Sequence, residues 1–567
     1  MTRSPSNLPQ KSGLSIQFSY FLLALILSGC DGSGAGQDDA GADSGDAGDA
    51  GIDGSADADA DSDTDGDADA DADADAGDAA HPSDAGEDAY CPYDAAARVG
   101  WVKTWGGPGV DEGTAIAVGP DGTIVVAGTF HDTVDFDPGL GEDLHTATGQ
   151  WSAFISKFTQ DGEHIWTRTI GGDSEYARVF VGGLGVLSDG SVVMGGMFDE
   201  TVDFDPGPGM ENRTPTALHG FFMVKLTGSG EFVWAYTPPG AGDGASSECD
   251  LAVSQQDSIY LVGRFDGSID FDPGPGIEVR TSSGSDAVVV KLDADGVLEW
   301  ARILGSGFDD QGRGIAVGAD GDVVATGSFR GTFYYERGQT GQIALGPNQG
   351  ETDIFVVKLD TDGGLVWSRT VGGLSMEHGE SVCVDDEGSV YVGGGFSDVV
   401  DFDPTDAGVD EHTWPPDSVF VSKYTADGGY EWTRTTGSSN YIFFRNLKCA
   451  QNGILYLGEF YGEMDFDPGP STDVHITEGA YTFLIKYRED GEYTWGTAFG
   501  SKGSSGDTYP RAFIQEMNND YLVLGRFGDT VDFDPTICTD IRTAQGDPPW
   551  DVFLWRCDEN GNYWPQL

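Results

Sequence analysis

Residues 115–130, AIAVGPDGTIVVAGTF, followed at 153–170 by AFISKFTQDGEHIWTRTI, decide the fold. Each stretch holds two short runs of β-branched and aromatic residues joined by an Asp-Gly turn. Asp-Gly tolerates the positive φ that a tight reversal between strands requires. The pair therefore reads as two hairpins, with strands at 115–118, 123–130, 153–158 and 163–170. No helical period of useful length intervenes.

Working outward, the same unit returns along the chain. A Trp recurs at Trp101, Trp166, Trp234, Trp300, Trp367, Trp432, Trp495 and Trp564, enclosing seven intervals of 63 to 69 residues. A Phe recurs in fixed phase at Phe130, Phe198, Phe265, Phe329, Phe396, Phe460 and Phe527, each two residues after a Gly. Repeats of four antiparallel strands at this period are propeller blades, which bury their faces only against their neighbours. The expectation is an all-β chain: a single seven-bladed β-propeller of four-stranded antiparallel blades over residues 91–567. Both aromatics are expected to stack between blades. Trp101, in WVKTWGG, repeats the fourth-strand pattern, so an N-terminal strand is expected to complete the seventh blade; Trp564, in GNYWPQL, competes for that role.

The first 90 residues have another character. Arg3 and Lys11 precede a short apolar run, FSYFLLALIL at 18–27, too short to span a bilayer and suited to a secretory signal. It ends in Leu27-Ser28-Gly29-Cys30, which resembles a bacterial lipobox and implies cleavage at 1–29 and lipidation of Cys30. Residues 31–90 contain 21 acidic side chains, no Lys or Arg, and almost nothing apolar to bury. Such a segment cannot offset its ordering entropy, so 30–90 is expected to be a lipidated cysteine on a disordered Asp/Ala/Gly-rich tether. The whole chain has a formal charge of −67, which repels nucleic acid and anionic headgroups.

The strings GIAVGADGDVVATGSF (314–329) and DIFVVKLDTDGGLVW (353–367) resemble the bacterial seven-bladed β-propeller repeat called SBBP. The likeness covers roughly residues 98–567 and all seven units; it implies the fold and no activity. The string LDADGVLEW (292–300) also resembles the tryptophan-docking part of quinoprotein repeats, again an architectural likeness only.

The most distinctive motif is Asp-Phe-Asp-Pro. It places Asp135 and Asp137, Asp203 and Asp205, Asp270 and Asp272, Asp401 and Asp403, Asp465 and Asp467, and Asp532 and Asp534 in six of seven units. The fourth unit has Tyr334-Tyr335-Glu336-Arg337 instead. In extended chain the two Asp face one side and the Phe the other. One reading makes these carboxylates Ca²⁺ ligands, completed by carbonyls and water. The other has the second Asp capping a Pro-led turn and the first paired with a recurrent base, Lys157 and its equivalents on strand three or Arg168 and its equivalents on strand four.

Six cysteines remain besides Cys30. A Cys91–Cys557 disulfide is expected to lock the closing unit, whereas Cys383 reads equally as a small buried hydrophobe. No G-x-S-x-G, H-E-x-x-H, C-x-x-C or phosphate loop occurs, and no histidine is expected to recur by repeat. The resulting functional expectation is a monomeric, membrane-anchored, extracytoplasmic binding or scaffold module of a bacterial cell envelope. Its partners would be protein, glycan or envelope components, with Ca²⁺ as a stabiliser. The alternatives are a carbohydrate-active enzyme on a propeller and a purely structural envelope protein.

Overall fold

The computed structural model describes residues 100–563, apart from 246–248, 406–407, 414–417, 502–505, 537 and 548. The signal peptide, Cys30, the tether, Cys91 and Trp564 lie outside the described residues.

Every regular element among the described residues is a β-strand. The first large sheet orders Glu112–Val118, Ile124–Phe130, Ser152–Phe158 and His164–Ile170 in sequence, all antiparallel. This matches the four runs read from residues 115–170. Six further sheets repeat that core of four strands, some lengthened by a hairpin. Ile259–Asp270 and Val279–Leu292 are longer than expected, because in the third unit the two central strands run on into the hairpin that carries the acidic motif.

The last sheet takes its fourth strand from the other end of the chain. Trp101–Trp105 pairs antiparallel with Trp550–Cys557, running from Trp101 opposite Arg556 to Trp105 opposite Val552. The first strand of each sheet touches the first strand of the next, and Thr508–Gln515 touches Glu112–Val118.

The apolar core is divided in the same way. One cluster packs Val125 and Ile155 of the first sheet against Val181 and Met194 of the second. Another packs Leu524 and Leu554 of the last sheet against Ile124 and Phe154 of the first. Five more clusters lie between successive sheets. Each buried Leu, Ile or Phe contributes on the order of 1.5–3 kcal/mol, and every contribution requires a neighbouring sheet.

The recurring Trp tightens those contacts with a hydrogen bond. The Nε1 groups of Trp166, Trp234, Trp300, Trp367 and Trp432 donate to carbonyls of Gly228, Ala294, Thr361, Ala426 and Glu489 at 3.0–3.3 Å. Each acceptor lies in the turn between strands three and four of the following sheet. The glycine of that turn has a positive φ and no room for a side chain: a Cβ on Gly428 would lie 2.7 Å from Trp367, and one on Gly230 2.9 Å from Arg168. Trp101 stands in the same relation to Gly162 of the first sheet, at 2.9 Å.

Candidate functional site

The six Asp-Phe-Asp-Pro segments share one geometry. Asp135 Oδ1 accepts the backbone N–H groups of Asp137 at 3.1 Å and Asp143 at 2.9 Å. Asp203, Asp270, Asp401, Asp465 and Asp532 do the same in their own loops. The second Asp caps the turn, with Asp137, Asp205, Asp272, Asp403, Asp467 and Asp534 each accepting an N–H two residues on at 2.7–2.9 Å. The intervening Phe136, Phe204, Phe271, Phe402, Phe466 and Phe533 are all fully buried. Each ring meets the marker Phe of its unit edge-on, as Phe136 meets Phe130 at a centroid distance of 5.2 Å. Among the described residues, no group of three or more His, Cys, Asp or Glu is gathered as a metal-ligand set.

The recurrent base differs from the expected one. Lys157 faces Asp121 at 3.6 Å, and Lys358 faces Asp320 and Asp322, all in the turn between strands one and two. Arg168, Arg302 and Arg434 donate to carbonyls of the next sheet's turn while lying over their own Trp at 5.2–5.3 Å. The base of the acidic loop comes from the strand that returns from it: His145, His412 and His475 in three units, Arg213, Arg280 and Arg542 in three others. Each pairs with an acid two residues earlier, such as His412 with Asp410 at 3.2 Å and Arg280 with Glu278 at 2.5 Å. Histidine therefore does recur by repeat. The signal lay in the alternation of His and Arg at one register, which a search for either residue alone misses.

The cysteines also depart from expectation. Cys557 is a free thiol and fully buried, so the expected Cys91–Cys557 bridge is not formed; its side chain packs in the core between the last two sheets. Cys538 is disulfide-bonded. Cys383 is bonded to Cys449, joining the first strands of two neighbouring sheets with Cα atoms 5.6 Å apart.

One region breaks the repeat symmetry. The first strands converge on a cavity of about 220 Å³ to which all seven contribute. Near one end of most of these strands a β-bulge interrupts the register, at Thr114, Gly182, Arg313, Glu380, Arg445 and Arg511. A bulge re-aims its residue out of the ladder, and all six line the cavity together with Cys249. Arg511 Nε donates to Glu112 Oε1 at 2.5 Å, Arg313 Nη1 to Glu380 at 3.0 Å and Arg445 Nε to Glu459 at 3.1 Å. Arg526 approaches Glu112 at 3.7 Å. Burial opposes charge on Glu112, but the Arg511 and Arg526 guanidiniums outweigh it and hold the carboxyl down at about 2. Asp250 lines the same cavity: burial raises it against the pull of Lys448, and its oxygens accept the N–H groups of Leu251 and Ile315 at 2.8 and 3.1 Å.

This cluster escaped the sequence reading, although a trace is visible. Gly312-Arg313-Gly314 and Gly379-Glu380-Ser381 place a charge between small residues where a buried strand should be apolar.

No family model matches the chain. It is 24% identical over 241 residues to an uncharacterized WD repeat-containing protein of Acanthamoeba polyphaga mimivirus, covering 38% of this chain and 17% of that protein. It is 26% identical over 229 residues to the regulatory protein FlaEY of Caulobacter vibrioides, covering 36% of this chain and 24% of that one. The chain thus spans less than a quarter of the length of either relative. Among solved structures it is similar to a protein of unknown function from Dyadobacter fermentans, at 12% identity, a TM-score of 0.33, and coverage of 70% and 98%. A polysaccharide lyase of family PL25 gives 10% identity and a TM-score of 0.37, covering 75% of this chain and 92% of that one. The repeat-protein matches and the all-β structure together fit a repeat or propeller-type protein.

Proposed function

We propose that the chain is a lipid-anchored, extracytoplasmic seven-bladed β-propeller that binds its ligand at the channel face formed by the first strands. Ring closure is supported by the pairing of Trp101–Trp105 with Trp550–Cys557 and by the apolar cluster between the last and first sheets. Export and anchoring rest on the apolar run ending at Cys30 and on the acidic spacer behind it. The binding role rests on one observation: polar side chains that differ between repeats meet at one cavity, whereas the acidic loops repeat in six units and serve their own turns. The acidic loops serve the fold alike in six units, whereas a cavity lined by groups that differ between repeats can hold an asymmetric ligand.

The test is binding of the mature chain to fractionated cell-envelope polysaccharide and protein, compared with an Arg511→Ala variant. Retained fold with at least tenfold weaker binding is the expected result. Equal binding by both proteins, or no binding to any fraction, would remove the channel-face reading.

A further inference from the structure

At three of the seven junctions between sheets, two buried carboxylates face each other with the same backbone frame. They are Asp111 with Asp551, Asp310 with Asp286, and Glu377 with Asp353; none of the six is more than 3% exposed. The N–H of Asp111 donates to the carbonyl of Trp550, the residue before Asp551, at 2.9 Å. The N–H groups of Asp310 and Glu377 likewise donate to the carbonyls of Ser285 and Thr352, which precede Asp286 and Asp353. Neither place is acidic at the other junctions where the same backbone bond forms: Val179 meets Ser152 and Thr508 meets Tyr481. Acids occur at both places or at neither, so the two carboxylates serve something they share.

The frame leaves oxygens without a donor. Asp551 Oδ2, Asp286 Oδ2 and Asp353 Oδ2 each accept one backbone N–H, from Gln545, Ser283 and Gln349. The Oδ1 atoms of the same three residues have no hydrogen-bond partner. They lie over the facing glycine of their own sheet, where a Cβ on Gly106, Gly305 or Gly372 would meet them at 2.1–2.4 Å. The next residue in each case, Gly107, Ser306 or Gly373, gives its N–H to the partner carboxylate at 2.5–2.9 Å. Among the described residues, no Lys or Arg makes an ion pair with any of the six. The Arg337 guanidinium offsets part of the charge on Asp286, and a pair of buried carboxylates without full compensation is costly by several kcal/mol per ion. A proton would cancel half of that charge and a divalent cation all of it.

We propose that each of these three junctions binds one divalent cation of the Ca²⁺ class, held by the two carboxylates with backbone carbonyls completing the oxygen shell. The sites share no residue with the Asp-Phe-Asp-Pro loops. Because each cation bridges two neighbouring sheets, binding is coupled to their packing and so to folding. The pairs fall at the junctions of the last sheet with the first, the third with the fourth, and the fourth with the fifth.

The experiment is calorimetric titration of the chelator-stripped mature chain with CaCl₂ alone, beside thermal unfolding in Ca²⁺ and in EGTA. Three cations per chain and a higher midpoint in Ca²⁺ are expected, falling to two per chain in Asp286→Asn. Asp135→Asn, in an acidic loop, should leave all three in place. Where Asp286→Asn does not fold, Asp353→Asn provides the same count at the neighbouring junction. An unchanged midpoint in EGTA, or cations lost in Asp135→Asn and kept in Asp286→Asn, would overturn the assignment. So would stabilisation that depends only on lowering the pH, since each pair would then be sharing a proton.

Discussion

The indole of Trp300 donates to the carbonyl of Thr361 at 3.0 Å, 61 residues further along the chain. Lys291 Nζ reaches the same oxygen at 2.9 Å, and Arg302 Nε binds Gly363 two residues on. One sheet thus grips the turn of the next through an indole, an ammonium and a guanidinium. Because the turn belongs to another repeat, this contact measures cooperation between sheets and not the stability of either one.

Replacing Trp300 by Ala removes that grip and part of the core between the third and fourth sheets. A loss of about 3–5 kcal/mol is expected, read as a lower urea midpoint. The m-value should fall too if the neighbouring sheets begin to unfold separately.

The Cys383–Cys449 bond closes a sequence separation of 66 residues between neighbouring sheets. Its removal by paired Cys→Ala substitution should cost about 2–4 kcal/mol by releasing unfolded-state entropy. A stability unchanged by reductant in the native protein would contradict this.

The Glu112 carboxyl sits at about 2 against an ordinary 4.5. A depressed folded-state value contributes stability above the unfolded value, and that stability is lost as pH falls from about 4.5 toward 2. The shift corresponds to about 3 kcal/mol at neutral pH. Glu112→Gln should therefore be clearly less stable than the native chain at about pH 7, and the gap should narrow as the pH is lowered toward about 3. Urea midpoints across that range decide it.

Asp135 Oδ1 serves two backbone N–H groups at once. Asp135→Ala leaves both without their acceptor and should cost about 1–3 kcal/mol, whereas Asp135→Asn keeps a carbonyl oxygen and should recover most of it. Equal loss in both variants would mean that the charge itself, and not its acceptor geometry, matters there.

Most of the strand pattern was legible because alternation and Asp-Gly turns are local properties. The burial of the Phe in each acidic loop was legible for the same reason: extended chain sends neighbouring side chains to opposite sides. The partners were not. Lys157 was read toward the acidic loop and lies instead against a turn Asp, since the direction in which a long side chain leans depends on the neighbouring sheet. Cys383 was read as equally a buried hydrophobe, yet 66 residues away Cys449 occupies the facing strand. The arginines of the cavity were missed because a single bulge turns a position from the sheet face to the cavity, and bulges leave only a faint trace in sequence.

By itself the amino-acid sequence determined the repeat, its four-strand content, the turns and the burial of the recurring Phe. All of these follow from the conformational preferences of a few adjacent residues. Only the tertiary structure decided which end of the chain supplies the last strand, which cysteines meet, and which charged side chains share a cavity or a junction. Those outcomes depend on groups far apart in the chain, 61 residues for Trp300 and Thr361 and 399 for Glu112 and Arg511, being brought within about 3 Å by the packing of one sheet on the next.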